Sequence, residues 1–168
     1  IGGNLPTTPA LLGNVAVWKP AASALLSNWY VYKLLEAAGL PPGVINFVPG
    51  SAAQVSDLLL ADRRLAGIHF TGSTAVFNSM WKRVGDNIGR YRTYPRLVGE
   101  TGGKDFIVVH PSADPQEVAV AMVRGAYEYQ GQKCSAASRV YVPKSLWPSV
   151  RDRAVAMMRD IKMGDTRD

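Results

Sequence analysis

Short apolar runs that alternate with helical segments constrain the fold of this chain more than any other feature. The runs are continuous rather than alternating, which is typical of strands buried on both faces of a parallel sheet. The predicted strands are Asn14 to Trp18, Val44 to Val48, Ala66 to Phe70, Pro95 to Glu100 and Asp105 to Val109.

Helical segments separate the first four of these runs. The stretches "SALLSNWYVYKLLEAAG", "SAAQVSDLLLADRR" and "GSTAVFNSMWKRVGDNIG" repeat apolar residues at helical spacing. Gly39 is expected to end the first of them, since Pro41 and Pro42 prevent its continuation. Regular strand–helix order implies right-handed βαβ units, so the predicted fold class is α/β with a doubly wound parallel sheet.

The last third of the chain continues the alternation. Asp114 and Pro115 predict the start of a helix over "DPQEVAVAMVRGAYEYQG", because Asp is a good N-cap and Pro fits the first helical position. "SRVYV" predicts a further strand, and "LWPSVRDRAVAMMRDI" predicts a closing helix.

Composition excludes several functional classes. The net charge is +6, but Lys and Arg are scattered, so no nucleic-acid partner is predicted. No run is long enough for a membrane span, and no leading segment resembles a signal peptide. The single cysteine excludes an intramolecular disulfide and favours a reducing compartment. Because the chain opens on Ile1 and stops at "GDTRD", we interpret it as a segment of a longer protein.

Two charged residues and one turn follow predicted strands, where ligands collect in open α/β sheets. In "FTGST", Gly72 lets a phosphate approach and the next helix start favours an anion, but taken alone the stretch is better explained as a simple capped turn. Lys19 suits a ribose or phosphate contact, or is simply solvated. Glu100, before Thr101 and two glycines, suits a general base, or a structural acid.

The only cysteine, Cys134, lies among small and polar residues in "YEYQGQKCSAASRVYV". That setting is typical of an accessible thiol, and Lys133 and nearby N–H groups are candidates to stabilise a thiolate. An inert cysteine is the alternative. His69 and His110 lack metal-ligand spacing, so no metal site is predicted.

Taken in order, "GNVAVWKP", "LEAAGLPPGVINFVPG", "FTGST", "GETGGK" and "GQKCSAASR" resemble the aldehyde dehydrogenase superfamily over essentially the whole chain. "YPRLVGETGGKDF" and "YQGQKCSAASR" resemble the members that oxidise glutamate semialdehyde to glutamate in proline breakdown. The resemblance implies a Rossmann-like NAD-binding domain over residues 1–101. It also implies that residues 102–168 add a strand to that domain and begin a catalytic domain that carries the nucleophile.

The resemblance also implies a role for each candidate residue. Cys134 matches the nucleophile that attacks the aldehyde and becomes a thioacyl-enzyme, and Glu100 matches the base that activates water for hydrolysis. Ser135 is implied to hold the carboxylate end of the substrate, and Lys19 to contact the adenosine ribose. The pyrophosphate site is implied at Gly72, Ser73, Thr74, Ala75 and Val76.

The implied cofactor is NAD, but NADP stays open, because Ala22 replaces an acidic residue that grips the ribose in many members. The implied partners are a small aldehyde and further copies of the full-length enzyme, with no nucleic acid and no membrane. The implied location is the bacterial cytoplasm or the mitochondrial matrix.

Two other functions stay open: a different NAD(P)-dependent aldehyde dehydrogenase, and a non-catalytic dinucleotide-binding module. Glu100 favours hydrolysis over transfer to coenzyme A. The family's oxyanion-hole Asn is expected upstream of Ile1, and one oxyanion donor is worth about a hundred- to a thousandfold in rate. We therefore expect the isolated segment to be almost inactive.

Overall fold

A computed structural model describes residues 1–165 and 167, and it divides the chain into two compact units, Ile1–Thr101 and Gly102–Asp168. The helices of the first unit are α1 Asn4–Leu11, α2 Leu25–Ala37, α3 Ala52–Ala61 and α4 Thr74–Asp86. Its strands are β1 Ala16–Trp18, β2 Ile45–Phe47, β3 Gly67–Thr71 and β4 Arg96–Glu100. The second unit contains β5 Asp105–Val108, α5 Pro115–Tyr127, β6 Ala137–Tyr141 and α6 Trp147–Arg159.

Every strand pair is parallel. In the first unit β1 pairs with β2, and β3 pairs with β4 in a register that sets Thr71 opposite Glu100. In the second unit β5 pairs with β6, with an irregularity between Asp105 and Phe106. Parallel pairs require crossover connections, which are supplied by helices. The predicted α/β class is therefore confirmed, and each predicted strand forms within a residue or two of its expected bounds.

The sheet differs from the expectation in its extent. We predicted one sheet of five strands, whereas the strands in the described part of the chain form three two-stranded sheets. The strands are also less covered than continuous apolar runs suggest: β1 alternates buried, exposed and buried, and Val98 is 52% exposed. The helices thus cover one face of β1. The predicted place of the strand Asp105 to Val109 in the cofactor sheet stays a prediction, and in the structure its counterpart β5 pairs with β6.

Helix α1 was not predicted, because two prolines in "NLPTTPAL" indicate a loop. Pro6 lies near the start of the helix, where a missing N–H costs little, whereas Pro9 lies inside it. Thr7 and Thr8 add side-chain hydrogen bonds, each hydroxyl donating to a backbone carbonyl one turn earlier at 2.7 Å. Pro6 is the buried residue of this helix, so its ring contributes packing as well.

The two units have separate apolar cores. In the first, Ala16, Trp18 and Ile45 are buried, and the Trp18 ring meets Phe47 edge-on at a centroid distance of 5.1 Å. In the second, helices α5 and α6 meet along a seam of small and β-branched residues, which includes the buried cluster Ala119, Val123 and Ala154.

In the described residues, no helix combines the length and the apolar character needed to cross a membrane.

Helix ends follow the sequence closely. Gly39 adopts a left-handed φ of 97° just after α2, as its predicted role as a stop requires. Asp114 caps α5: its carboxylate accepts from the N–H groups of Gln116 at 2.8 Å and Glu117 at 3.0 Å. Pro115 occupies the first turn, where its missing donor leaves nothing unpaired.

The Asp114 cap gives a local prediction. Asp114→Ala removes both hydrogen bonds and is expected to cost the first turn of α5 about 1 kcal/mol. The amides of residues 116–119 should then exchange with deuterium about fivefold faster, measured by mass spectrometry on peptic peptides. Asp114→Asn keeps a capping oxygen and should exchange like the wild type. Equal exchange in all three proteins would show that the cap contributes nothing.

Candidate active site

The carboxyl ends of β3 and β4 bring two predicted site elements together. Thr71 pairs with Glu100, and the N–H of Gly72 donates to the carbonyl of Glu100 at 3.1 Å. The candidate phosphate-binding turn and the candidate base are therefore neighbours on one edge of a sheet. This arrangement follows from the parallel register, because parallel strands end on the same side.

The start of α4 is suited to an anion. Ser73 is the N-cap, and its hydroxyl accepts from the N–H of Val76 at 3.3 Å. The N–H groups of Thr74 and Ala75 make no hydrogen bond to any other residue in the described part of the chain. The first turn contains no acidic residue, and Gly72 to Val76 are exposed. Two free donors at the positive end of a helix attract a phosphate.

Glu100 is the last residue of β4, and its side chain is exposed. Residues 101–104 after it have no regular secondary structure. A carboxylate in this position is held by its own strand and is accessible to water, which a general base that activates water requires.

Lys19 directly follows β1, as predicted, and is half-buried beside the buried Pro20. It forms no ion pair within the described residues. Its strand belongs to the β1–β2 sheet, whereas Gly72 and Glu100 belong to the β3–β4 pair. The structure therefore places Lys19 at the carboxyl end of a strand, in the sheet next along the chain from the phosphate-binding turn.

Cys134 lies at the tip of a tight turn in the second unit. The N–H of Ala136 donates to the carbonyl of Lys133 at 3.1 Å, so Cys134 and Ser135 occupy the two central positions of this turn. Cys134 is a free, exposed thiol, and Ser135 beside it is exposed as well. The predicted accessibility of the thiol is confirmed, whereas its catalytic role and the substrate contact of Ser135 stay predictions.

The backbone before this turn is left-handed over three consecutive residues. Tyr129 has φ 53°, Gln130 has φ 54° and Gly131 has φ 69°. A left-handed residue other than glycine costs roughly 1–2 kcal/mol, so the segment is strained. Gly131 is required for a second reason: a Cβ there would lie 2.9 Å from the carbonyl oxygen of Ala126. The strained segment turns the chain sharply from α5 towards Cys134.

Lys133 has a partner that the sequence did not reveal. Its ammonium group lies 2.9 Å from a carboxylate oxygen of Glu128, across the left-handed segment. The hydrogen bond from Lys133 lowers the pKa of Glu128 below its ordinary value. We expected the charge of Lys133 to stabilise a Cys134 thiolate, but the carboxylate of Glu128 compensates part of that charge.

A glycine of the "GETGGK" motif lies against the cysteine turn. A Cβ on Gly103 would come within 3.1 Å of the carbonyl oxygen of Cys134, which is tighter than ordinary van der Waals contact. The guanidinium of Arg139 donates to the carbonyl of Lys104 at 3.0 Å and holds the same segment. The loop that follows Glu100 in the chain thus contacts the Cys134 backbone inside the second unit.

Glu100 and Cys134 belong to different units, so their predicted meeting in one cleft stays a prediction.

Within the described residues, no group of three His, Cys, Asp or Glu side chains is arranged to hold a metal. His69 is half-buried in β3, and the ring of His110 is hydrogen-bonded to Ser112 at 2.8 Å.

Comparisons with known proteins agree on one family. The sequence profile of the aldehyde dehydrogenase family matches residues 5–168. The mitochondrial delta-1-pyrroline-5-carboxylate dehydrogenase of Dictyostelium discoideum is 55% identical over an alignment of 170 positions that covers 100% of this chain and 30% of the relative. The mouse mitochondrial enzyme of the same name is 50% identical over 165 residues, which cover 98% of this chain and 29% of the mouse enzyme.

Solved structures show the same likeness. The crystal structure of the delta-pyrroline-5-carboxylate dehydrogenase from Mycobacterium tuberculosis bound with NAD superposes with a TM-score of 0.87 at 57% identity, covering 98% of this chain and 31% of that one. Another crystal structure of the same enzyme gives a TM-score of 0.88 over 100% of this chain. The chain therefore spans about a third of the length of these relatives.

The ion pair between Glu128 and Lys133 can be tested by titration. Because Lys133 depresses the pKa of Glu128, the pair stabilises the loop above the ordinary glutamate pKa, and this is lost as the pH falls through the lowered value. Lys133→Met should raise the pKa of Glu128 towards its ordinary value, followed by NMR of ¹³C-labelled glutamate. Lys144→Met, which removes a lysine outside the pair, should leave it in place. A Glu128 pKa that is insensitive to Lys133→Met would contradict the pairing.

Proposed function

The chain belongs to the aldehyde dehydrogenase family, and from that premise we propose that it is the cofactor-binding and nucleophile-bearing part of a delta-1-pyrroline-5-carboxylate dehydrogenase. The reaction is the oxidation of L-glutamate 5-semialdehyde, which forms from 1-pyrroline-5-carboxylate, to glutamate with reduction of NAD. Identity of 55% with an enzyme of that name over the whole chain supports this substrate. The strongest structural support is the packing of Gly103, from the Glu100 motif, against the Cys134 turn.

The residues present fit a dinucleotide. Thr74 and Ala75, exposed at the start of α4, offer two free N–H donors to a pyrophosphate. Lys19, half-buried at the end of β1, would donate to ribose hydroxyls. When bound, NAD supplies the acceptor for the hydride that the substrate loses. The NAD-bound relative from Mycobacterium tuberculosis is 57% identical to this chain over an alignment that covers 98% of this chain.

Cys134 carries the covalent step. Its thiolate sulfur forms a bond to the aldehyde carbon, and the carbonyl oxygen takes the negative charge. Loss of hydride from that carbon restores the C=O bond and leaves a thioester on Sγ. An exposed position at the tip of a turn lets the aldehyde reach the sulfur, and Ser135 next to it would donate a hydrogen bond to the carboxylate end of the substrate.

Glu100 carries the hydrolytic step. Its carboxylate takes a proton from a water molecule, whose oxygen attacks the acyl carbon. The C–S bond then breaks, glutamate leaves and the Cys134 thiolate is restored. An exposed carboxylate that is held by a strand and followed by a loop is suited to take this proton from water.

The two units correspond to two roles under this proposal. The unit Ile1–Thr101 would bind the dinucleotide, and the unit Gly102–Asp168 would present the nucleophile. The working protein would be a homo-oligomer, located in the mitochondrial matrix in a eukaryote or in the cytoplasm of a bacterium. The mitochondrial names of the relatives from Dictyostelium and mouse support the first of these locations.

One observation favours a second cofactor. The turn Ala22–Ala24 after Lys19 carries no carboxylate, so it offers neither a hydrogen bond to the 2′-hydroxyl of NAD nor repulsion of the 2′-phosphate of NADP. We therefore propose that the protein also accepts NADP.

Substitution of the two reacting residues tests the proposed activity in the full-length protein with glutamate semialdehyde. Cys134→Ala should lower NADH formation by more than about a thousandfold, because no thioester forms. Glu100→Gln should slow steady turnover by about 10²- to 10⁴-fold, yet keep a burst near one NADH per site, because only hydrolysis is impaired. Glu117→Gln, an exposed carboxylate in α5, is the matched control and should be fully active. Full activity of Cys134→Ala would refute the mechanism.

The cofactor preference has its own test. Ala22→Asp adds a carboxylate and should raise the ratio of kcat/KM for NAD over NADP by at least about tenfold, by repulsion of the 2′-phosphate. Ser23→Asp places the same charge one residue further along the same exposed turn and should change the ratio much less. Equal shifts in the two variants would mean that position 22 does not face the ribose.

A further inference from the structure

Two aromatic rings fill the space beside two glycines at the edge where the phosphate-binding turn and Glu100 meet. A Cβ placed on Gly99, the residue before Glu100, would lie 2.4 Å from ring carbons Cε1 and Cζ of Phe77. Atoms do not approach that closely, so the Phe77 ring occupies the space that a side chain at position 99 would need. Gly99 is thus a glycine because another residue's ring lies there.

The Phe77 ring is held from both sides. It stacks on Phe70 with a centroid distance of 5.8 Å and an interplanar angle of 11°, and it meets Trp81 edge-on at 5.9 Å. Phe70 lies in β3 directly opposite Gly99 in β4. A Cβ on Gly72 would in turn lie 2.5 Å from Cζ of Phe70. The contacts therefore run in a line from Gly72 through the two rings to Gly99.

We propose that Phe77 is a positioning residue that, with Phe70, sets the distance between the start of α4 and the strand that carries Glu100. The proposal rests on the proposed function, since it gives a purpose to the spacing of those two elements. Phe77 is one turn into α4, so its ring joins the helix whose N-terminus would bind the pyrophosphate to the strand that ends in the base.

A purely structural role explains these contacts less well. Phe70 and Phe77 are only half-buried, Trp81 is 57% exposed, and both glycines are exposed. The buried cluster of this unit lies elsewhere, around Trp18 and Ile45. Stacked rings at a partly open edge contribute modestly to burial, but they fix the separation of the two elements that they touch.

The geometry predicts what a methyl group at position 99 would do. Either the Phe77 ring tilts, which moves α4, or β4 moves away, which displaces Glu100. In both cases the base moves relative to the turn, and a misplacement of about 1 Å can cost about a hundredfold in rate. The hydride step at Cys134 does not use Glu100, so hydrolysis should suffer more.

The test uses the full-length protein with glutamate semialdehyde and NAD. Gly99→Ala should lower steady-state kcat by at least about tenfold while, at saturating NAD, the NADH burst stays near that of the wild type, because Cys134 is not affected. In a Phe77→Ala background the same Gly99→Ala change should have no further effect, because the ring that it meets is gone. Gly85→Ala is the matched control: it lies in α4, a Cβ there meets nothing within 4 Å, and full activity is expected.

Two results would overturn the proposal: Gly99→Ala as active as Gly85→Ala, or a loss in Gly99→Ala that persists undiminished without the Phe77 ring. If Gly99→Ala does not fold, Phe77→Ala decides. Slower turnover with an intact burst supports the positioning role, and unchanged kcat with an unchanged KM for NAD refutes it. Failure of the proposed function gives a different pattern, because Cys134→Ala and Glu100→Gln would then retain activity whatever Gly99→Ala does.

Discussion

The parallel pairing of β3 and β4 is the constraint on which the rest of the first unit's site depends. Its register sets Thr71 opposite Glu100, and its last hydrogen bond runs from the Gly72 N–H to the Glu100 carbonyl. A slip of one residue would turn every side chain of β4 to the other face. Phe77 could not then rest on Gly99, and Glu100 would no longer end its strand level with the turn. The backbone hydrogen bonds between β3 and β4 thus position both the free N–H groups at the start of α4 and the Glu100 carboxylate.

Much of the fold follows from the spacing of apolar residues and from the residues that begin or end helices. The strands, the five longer helices, the stop at Gly39 and the cap at Asp114 were all predictable, because each depends on residues close together in the chain. Helix α1 was missed because its two prolines disfavour a helix in the sequence. The threonine side-chain hydrogen bonds that support the helix are visible only in the structure. The extent of the sheets was also predicted wrongly, because strand pairing and coverage are decided by distant segments.

The candidate site also has features that the sequence predicted and features that only the structure revealed. Residue types and motif order pointed to Cys134, Glu100 and the turn at Gly72, and the structure gives each a suitable local setting. The contacts around them were beyond reach of the sequence. Glu128 is five residues before Lys133, but only the left-handed segment brings the two together. Gly99 next to Glu100 was a usable signal, since glycine inside a strand often marks a close approach.

The second unit presents its thiol at an energetic cost that its core must offset. Two left-handed residues other than glycine together cost roughly 2–4 kcal/mol and persist only where surrounding structure fixes them. That structure is the α5–α6 seam, where Ala119 and Val123 are buried and hold α5 in place up to Tyr127. Beyond that helix the chain makes its sharp bend, and Cys134 is exposed. Stability thus comes from a seam away from the thiol, which leaves the sulfur open to a substrate.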